Sequence, residues 1–295
     1  MTADHRSRRR SKDSKAAWLT GGLLFLIASG LLGIFSGGDS ISSRPHLAQV
    51  AVEGPIMNAE PTVSLLEKAR EASHIRGVLL RVNSPGGSVG ASEAIYQAVA
   101  RLSEKKPVAV SMGGLAASGG YMVALGGDRI FALDSTLTGS IGVIMMSTGV
   151  FPLLDKIGVV PRIIKSGRFK DAGSPLREMS EADRAYLQSM VDELHKQFVQ
   201  LVAKERGMDV QEARPLANGR VFSGQQAQSE GLIDALGGEQ TAEAWLRAQA
   251  ELGPDAPLEE LQPPEDWIQE LMPAGLIGWL QMRLSPEPRY LYMGG

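Results

Sequence analysis

One serine in this sequence stands among small residues, where a nucleophile could be exposed. Ser118 lies in the run AASGG (116–120), between an apolar run typical of a strand and a stretch typical of a helix. Small neighbours permit the sharp strand-to-helix turn that presents a nucleophilic hydroxyl in many hydrolases. The same run also suits a helix that packs closely on a sheet. Ser118 is therefore a candidate nucleophile, and this run alone does not decide between the two interpretations.

Glycines near Ser118 could supply the N–H groups that acyl transfer requires. The N–H of Gly119, directly after the serine, would face the same space as the serine hydroxyl. A second N–H could come from Gly86 or Gly87 in the run NSPGG (83–87). Two fixed donors stabilise the oxyanion that forms when a hydroxyl attacks a carbonyl carbon. The sequence therefore offers the parts of an oxyanion hole.

The base that would activate this serine is not an obvious histidine. None of the four histidines, His5, His46, His74 and His195, lies within 40 residues of the serine. His195 also falls inside a helical pattern, which favours a place on a helix surface. Lysine is the known alternative base in Ser-Lys enzymes. A lysine is therefore the alternative partner for Ser118.

Other catalytic motifs are absent or unconvincing. Ser103 and Lys106 have the spacing S-x-x-K, but they lie at the charged end of a predicted helix, directly before Pro107. The sequence holds no cysteine, which excludes disulfides, thiol catalysis and cysteine-ligated zinc. It also lacks the H-E-x-x-H motif of zinc proteases and the G-x-x-x-x-G-K-[ST] motif of phosphate-binding loops. We expect no cofactor and no metal.

The charge distribution argues against binding to nucleic acid. Residues 1–15 hold six basic and two acidic residues, so the net charge of −3 for the whole chain leaves −7 for the remainder. A nucleic-acid-binding body needs a basic face that neutralises phosphates. The basic residues instead precede an uncharged apolar run at 16–35.

The apolar run at 16–35 predicts a transmembrane anchor. Twenty helical residues span about 30 Å, the thickness of the hydrocarbon core of a bilayer. A cleaved signal peptide has the same order of basic and apolar residues, but its apolar region is shorter. Here the small residues 28–30 also fall inside the run rather than after it. The basic tail at 1–15 would stay in the cytoplasm and the body would lie outside.

The remaining chain alternates short apolar runs with helical patterns, which predicts a mostly parallel sheet covered by helices. Residues 36–47 are interpreted as a linker that precedes a domain at 48–250. Residues 251–295 would form a proline-rich linker and an apolar C-terminal helix at 267–284. Strands are predicted at 48–54, 76–84, 107–113 and 159–167, and helices at 61–73, 88–106, 181–206, 209–217, 223–230 and 241–250.

Three separated motifs follow one another in the sequence: SGGY (118–121), TGSIGVI (138–144) and KSGRFKD (165–171). Together they resemble the motifs of signal peptide peptidases of the SppA type, and the resemblance covers residues 48–238. It implies Ser118 as the nucleophile and Lys170 as the base, with Lys165 as the competing candidate. It also implies that Ser140 orients the lysine and that the NSPGG turn supplies an oxyanion N–H.

The resemblance also implies a fold and a setting. The fold would be α/β, with the stacked β-β-α units of Clp protease and crotonase, behind an N-terminal transmembrane helix. The protein would form a homo-oligomer that encloses a bowl, with a groove that subunits could share. Substrates would be hydrophobic peptides, including remnant signal peptides, at the bacterial cytoplasmic membrane.

Two alternatives to a protease are open. One is a crotonase-type enzyme acting on acyl-CoA, which reuses the same glycine geometry, and the other is a catalytically inactive membrane scaffold.

A lysine base must be able to lose its proton near neutral pH. The pKa of a free lysine is about 10.4, and burial in apolar surroundings lowers it by disfavouring the ammonium. We expect Ile141, Val143 and Ile144, which follow Ser140, to supply those surroundings for Lys170.

Overall fold

The computed structural model describes residues 44–262 of the chain. The predicted anchor at 16–35 and the predicted helix at 267–284 lie outside the described residues. Within 44–262, no helix is both long enough and apolar enough to cross a bilayer. The strands are β1 His46–Glu53, β2 Ile75–Ser84, β3 Val108–Ala117, β4 Arg129–Ala132, β5 Leu137–Gly139, β6 Val221–Ser223, β7 Ala235–Leu236 and β8 Leu258–Glu260. The helices are α1 Glu60–Glu71, α2 Val89–Ser103, α3 Gly119–Ala124, α4 Phe151–Lys156, α5 Glu181–Arg206, α6 Val210–Leu216, α7 Gly224–Ser229 and α8 Glu239–Gln249.

The strands of the described chain form one sheet in the order β6-β5-β3-β2-β1-β8, with β4 pairing β3 and β7. Neighbouring strands are parallel except β5 and β6, which are antiparallel. Helices follow the first three strands, as crossover connections between parallel strands require. The predicted α/β fold with a mostly parallel sheet is confirmed.

Along each central strand, successive side chains point alternately into two apolar layers, one on each face of the sheet. On β2, Val78, Leu80 and Val82 belong to the larger core cluster, which includes residues of α1, α2, α3 and α5. Leu79 belongs to the smaller cluster on the other face, with Leu246 of α8. Successive side chains of a strand point to opposite faces, so a strand covered on both sides is apolar throughout. This double burial explains the uninterrupted apolar run VLL (78–80) at the centre of β2.

The long helix α5 begins and ends where its sequence predicts. The Ser180 hydroxyl accepts a hydrogen bond from the Asp183 N–H, and the Asp183 carboxylate accepts one from the Ser180 N–H, which forms a capping box. Gly207 ends the helix in the left-handed region, with a φ of 62°. The predicted helix at 181–206 is confirmed.

Two predictions of secondary structure are wrong. The predicted strand at 159–167 is irregular chain, and Val160 and Ile164 within it are exposed. Its apolar pattern indicated a buried strand, yet these side chains cover no core of this chain. Residues 258–260, which fall in the predicted linker, form β8, which pairs with β1 at the edge of the sheet.

Candidate active site

Ser118 lies at a sharp turn between β3 and α3. β3 ends at Ala117 and α3 begins at Gly119, so the serine alone separates strand from helix. Its φ of 53° and ψ of −119° lie outside the regions that L-residues usually occupy. The Ser118 N–H donates to the carbonyl oxygen of Gly139 at 2.8 Å, which anchors the turn. A half-buried serine on such a turn at the carboxyl edge of a parallel sheet has the geometry of a nucleophile elbow.

The NSPGG turn after β2 packs directly against the serine turn. A Cβ on Gly86 would lie 2.5 Å from the Gly119 nitrogen and 3.1 Å from the Ser118 Cβ. Gly86 also has a φ of +90°, which favours glycine. A Cβ on Gly119 would lie 2.2 Å from the Ser92 hydroxyl on α2. The two turns approach this closely because neither position carries a side chain.

Two N–H groups at the junction of the serine turn and the NSPGG turn have no protein acceptor within residues 44–262. Gly119 is the first residue of α3, and the first N–H groups of a helix have no partner within it. Within residues 44–262, neither Gly119 nor Gly87 donates its N–H to another protein group. The Gly86 N–H instead donates to the hydroxyl of Ser84 at 3.1 Å. The geometry therefore favours Gly87 and Gly119 over Gly86 as oxyanion donors.

Ser140 leaves β5 at the level where Ser118 leaves β3, because Ala117 pairs with Gly139 across the two parallel strands. The backbone of Ser140 also has a positive φ, of 48°. Its N–H donates to the carbonyl oxygen of Arg220 at 2.8 Å, which fixes the turn. The fold therefore brings Ser118, Ser140 and the glycine turns to one edge of the sheet.

The histidines of the described chain do not suit a triad with Ser118. His46 begins β1 and His74 directly precedes β2, so both lie at the amino edge of strands whose carboxyl edge carries the serine. His195 on α5 forms a hydrogen bond through its Nε2 with the carbonyl oxygen of Ala217 at 2.7 Å. These positions favour lysine over histidine as the base.

The pair with S-x-x-K spacing has a structural role. The Ser103 hydroxyl donates to the carbonyl oxygen of Ala100 at 3.1 Å. The Lys106 ammonium donates to the carbonyl oxygens of Ala69 and Ala72, each at 2.6 Å, at the carboxyl end of α1. Burial lowers the pKa of Lys106. This lysine nevertheless caps a helix, as cations at helix carboxyl ends do, and it faces no nucleophile.

Lys170 is not joined to the serine within the described chain. It lies in the irregular chain between α4 and α5, where it is exposed. Its side chain makes no hydrogen bond or ion pair within residues 44–262. Ile144, expected to cover it, is 80% exposed, and Ile141 lies in the core instead. The expectation of apolar surroundings for Lys170 is therefore wrong within a single chain.

The competing base, Lys165, is occupied by other groups. Its ammonium donates to the carboxylate of Asp171 and, at 3.0 Å, to the carbonyl oxygen of Arg168. Asp171 also accepts two hydrogen bonds from the guanidinium of Arg177. A general base needs a free lone pair, and an ammonium that neutralises a carboxylate does not offer one. This arrangement favours Lys170 over Lys165.

Sequence reasoning missed the ion pairs of Arg177. This arginine joins Asp171, next to Lys170, to Asp183 on α5. The spacing of Ser180 and Asp183 is a capping-box signal, which marks the helix start but not its second partner. Each of the two aspartates lies six residues from Arg177, a separation that corresponds to no regular helix or strand contact, so these pairs were not predictable from spacing.

Sequence reasoning also missed an exposed apolar surface that follows the Ser140 turn. We call residues 144–164 the outer segment. Its large exposed apolar side chains are Ile144, Met145, Met146, Leu153, Ile157, Val159, Val160, Ile163 and Ile164. Soluble monomers rarely expose so many apolar side chains together, and such surfaces mark sites of association.

Comparison with known proteins finds peptidases. The model of peptidase family S49 matches residues 100–253, and the Clp protease model matches residues 50–138. The chain is 38% identical over 232 residues to a Synechocystis sp. protein that carries the name of a protease. This match covers 78% of this chain and 84% of that protein. It is 38% identical to an Enterococcus faecium protein whose name proposes the signal peptide peptidase SppA (66% and 57% covered). It is 31% identical to the chloroplastic serine protease SPPA of Arabidopsis thaliana (82% and 37% covered).

Proposed function

Because this chain belongs to peptidase family S49 and is a protease, we propose that it is a serine endopeptidase with Ser118 as its nucleophile. The serine hydroxyl attacks the carbonyl carbon of a peptide bond, and its proton passes to a lysine. The bond to the leaving amine then breaks, and the amine takes up that proton. Water hydrolyses the acyl-enzyme in a second, equivalent step.

The observation that carries the proposal is the junction of the two glycine turns. Ser118 sits on a strained backbone directly before Gly119, and the turn that carries Gly86 and Gly87 packs against it. Within residues 44–262, no protein group accepts a hydrogen bond from the N–H of Gly87 or of Gly119. Fixed donors beside a nucleophile stabilise the oxyanion of acyl transfer without reorganising during the reaction. A crotonase-type enzyme would use the same N–H pair, but it would give no reason for a serine on the turn.

We assign the base to Lys170 and expect it to act across a subunit interface. In one chain this lysine is exposed and unbonded, whereas a base needs a partly desolvated site. The outer segment lies between the Ser140 turn and Lys170 in the sequence and exposes the apolar side chains that an interface would cover. Association of copies into a homo-oligomer would give the lysine apolar surroundings, and Ser140 would then orient its amine.

The setting that we propose is the outer face of a bacterial cytoplasmic membrane. The uncharged run at 16–35 behind a basic tail supports a single anchor with its N-terminus in the cytoplasm. Hydrophobic peptides, including cleaved signal peptides, are released at that surface and are the substrates we propose. The name of the Enterococcus relative supports this substrate class.

Labelling with a serine-reactive phosphonate tests the proposal. The full chain in detergent should be labelled on Ser118 alone, and Ser118→Ala should abolish both labelling and peptide cleavage. Lys170→Arg should also be inactive, because a guanidinium stays protonated at neutral pH. A catalytically inactive scaffold or a crotonase-type enzyme would leave the wild type unlabelled. An active Lys170→Arg protein would refute the lysine base but not the nucleophile.

A further inference from the structure

Both neighbours of Lys170 are tied to the first two turns of α5. The ring of Phe169 stacks on the ring of Tyr186, with centroids 4.7 Å apart and planes 22° apart. On the other side, Asp171 is held by Arg177, which also binds Asp183. Asp183 and Tyr186 are three residues apart on one face of the helix.

The guanidinium of Arg177 is the centre of this arrangement. Its Nε and Nη2 donate to the two carboxylate oxygens of Asp171 at 2.8 and 3.0 Å, a bidentate pair. Its Nη1 donates to Asp183 Oδ2 at 2.5 Å. The side chains of Asp171 and Asp183 are only 10% and 4% exposed. Bidentate pairs fix orientation as well as distance, so the loop has little freedom to turn.

The charges of this network are fixed at neutral pH. Hydrogen bonds from Arg177 hold the pKa of both Asp171 and Asp183 well below the usual range for aspartate. The same carboxylates raise the pKa of Arg177. Asp183 also accepts hydrogen bonds from the N–H and hydroxyl of Ser180, so the network is continuous with the helix cap.

We propose that Arg177 is a positioning residue that fixes the Lys170 backbone on the amino end of α5. Among the charged and aromatic side chains of residues 165–171, only that of Lys170 makes no ring contact, hydrogen bond or ion pair within the described chain: Phe169 is stacked, Arg168 lies over its ring, Asp171 is ion-paired, and Lys165 is bonded to Asp171. A base on a free loop would lose most encounters with the serine hydroxyl, whereas a base on a fixed backbone has few side-chain torsions left to set. The inference rests on the proposed role of Lys170 as the base.

The test compares turnover with stability in the full chain in detergent. Arg177→Gln should lower kcat about 100-fold, the scale expected when a catalytic group is displaced by about 1 Å, and should leave KM within about twofold. Arg177→Lys should recover only part of kcat, because a lysine keeps the charge but not the bidentate geometry. Rates are expressed per folded protein, measured by far-ultraviolet circular dichroism.

Arg206→Gln is the matched control at the other end of α5. Arg206 pairs with Asp234 at 2.8 Å and donates to the carbonyl oxygen of Gly231, so its loss also removes a multiply bonded arginine. The control should lower the Tm while kcat per folded protein stays at the wild-type value. If Arg177→Gln behaves like this control, Arg177 is only structural and the inference is overturned.

Two further variants test the inference if Arg177→Gln does not fold, or if the lysine is not the base. In the first case Asp171→Asn is used instead of Arg177→Gln. The asparagine keeps the shape of the side chain but removes its charge, and it should lower kcat in the same way. Normal kcat in folded Asp171→Asn protein would overturn the inference. Lys170→Ala, measured in parallel, separates the proposed base from the proposed positioning residue. Normal turnover of Lys170→Ala would refute Lys170 as the base. An inactive Lys170→Ala together with a normal Arg177→Gln would refute only the positioning role of Arg177.

Discussion

The turn that carries Ser118 and the loop that carries Lys170 are held in place by different kinds of interaction. Backbone packing fixes the serine turn: glycines allow two turns to touch, and a Cβ at Gly86 would meet the next turn at 2.5 Å. Side-chain charges fix the lysine loop, through Asp171, Arg177 and Asp183. The first turn is mostly buried in its own chain, and the second lies beside an exposed apolar surface.

This difference teaches which half of the site a single chain completes. Ser118, Ser140 and the glycine turns that we propose as oxyanion donors are brought to one edge of the sheet within a single chain. Lys170 lies in irregular chain whose neighbouring residues are tied to the amino end of α5, and its side chain is exposed in one chain, whereas a lysine base needs desolvation. Under the proposed mechanism, the fold of one chain therefore preorganises the nucleophile half, whereas the base half requires another surface.

The largest expected effect is the loss of catalytic efficiency when the serine, the lysine or both are replaced by alanine. Ser118→Ala and Lys170→Ala should each lower kcat/KM by more than about 1000-fold, and the double variant should be little worse than either, because nucleophile and base act as one unit. Steady-state cleavage of a short peptide ester measures this. Losses that multiply in the double variant would mean that the lysine does not act on the serine.

The glycine junction should be intolerant of one methyl group. Gly86→Ala combines a 2.5 Å contact with a φ of +90°, so we expect a loss of about 1–3 kcal/mol in the free energy of unfolding and a fall in kcat of about 100-fold. Gly114→Ala is the matched control, since its Cβ would meet nothing within 4 Å. Both variants are measured by denaturant unfolding and by turnover. Unchanged stability and kcat in Gly86→Ala would show that the two turns are not in close contact.

The outer segment should govern assembly rather than folding. Ile164 is fully exposed in one chain, so Ile164→Ser should leave the free energy of unfolding unchanged to within about 0.5 kcal/mol. It should instead shift sedimentation to smaller species and lower activity about tenfold, an effect that higher protein concentration should partly reverse. Leu133→Ser, at an exposed apolar position after β4, is the control. Unchanged sedimentation of Ile164→Ser would assign the surface to membrane or substrate instead.

Acid should weaken the lysine loop more than the serine turn. The folded-state pKa values of Asp171 and Asp183 are depressed, so the unfolded chain binds more protons in acid and stability rises with pH. Their stabilising contribution should be complete above about pH 4, near the pKa of free aspartate, and should decline below it. Urea unfolding at a series of pH values should show a smaller acid slope for Arg177→Gln than for the wild type, and equal slopes would contradict the assignment.

The sequence predicted those parts of the fold whose signals are local. Capping residues at Ser180 and Gly207 mark the ends of α5, and the doubly buried centre of β2 has the apolar run VLL (78–80). The serine and glycine turns were predictable because sharp turns demand small residues. The run at 159–167 failed because an apolar pattern does not say whether it faces the core of its own chain or another surface. The surroundings of Lys170 were missed for the same reason.

The junction of the glycine turns also bears on when the enzyme becomes active during folding. Ser118 takes its backbone conformation from Gly86, about thirty residues earlier, and from Gly139, about twenty residues later. Contacts between distant parts of a chain form slowly, since each requires a loop to close. A chain that is still emerging or partly folded therefore has the serine but neither the turn nor the oxyanion donors. We expect such a nascent protease to be harmless to its neighbours until the sheet from β2 to β5 is complete.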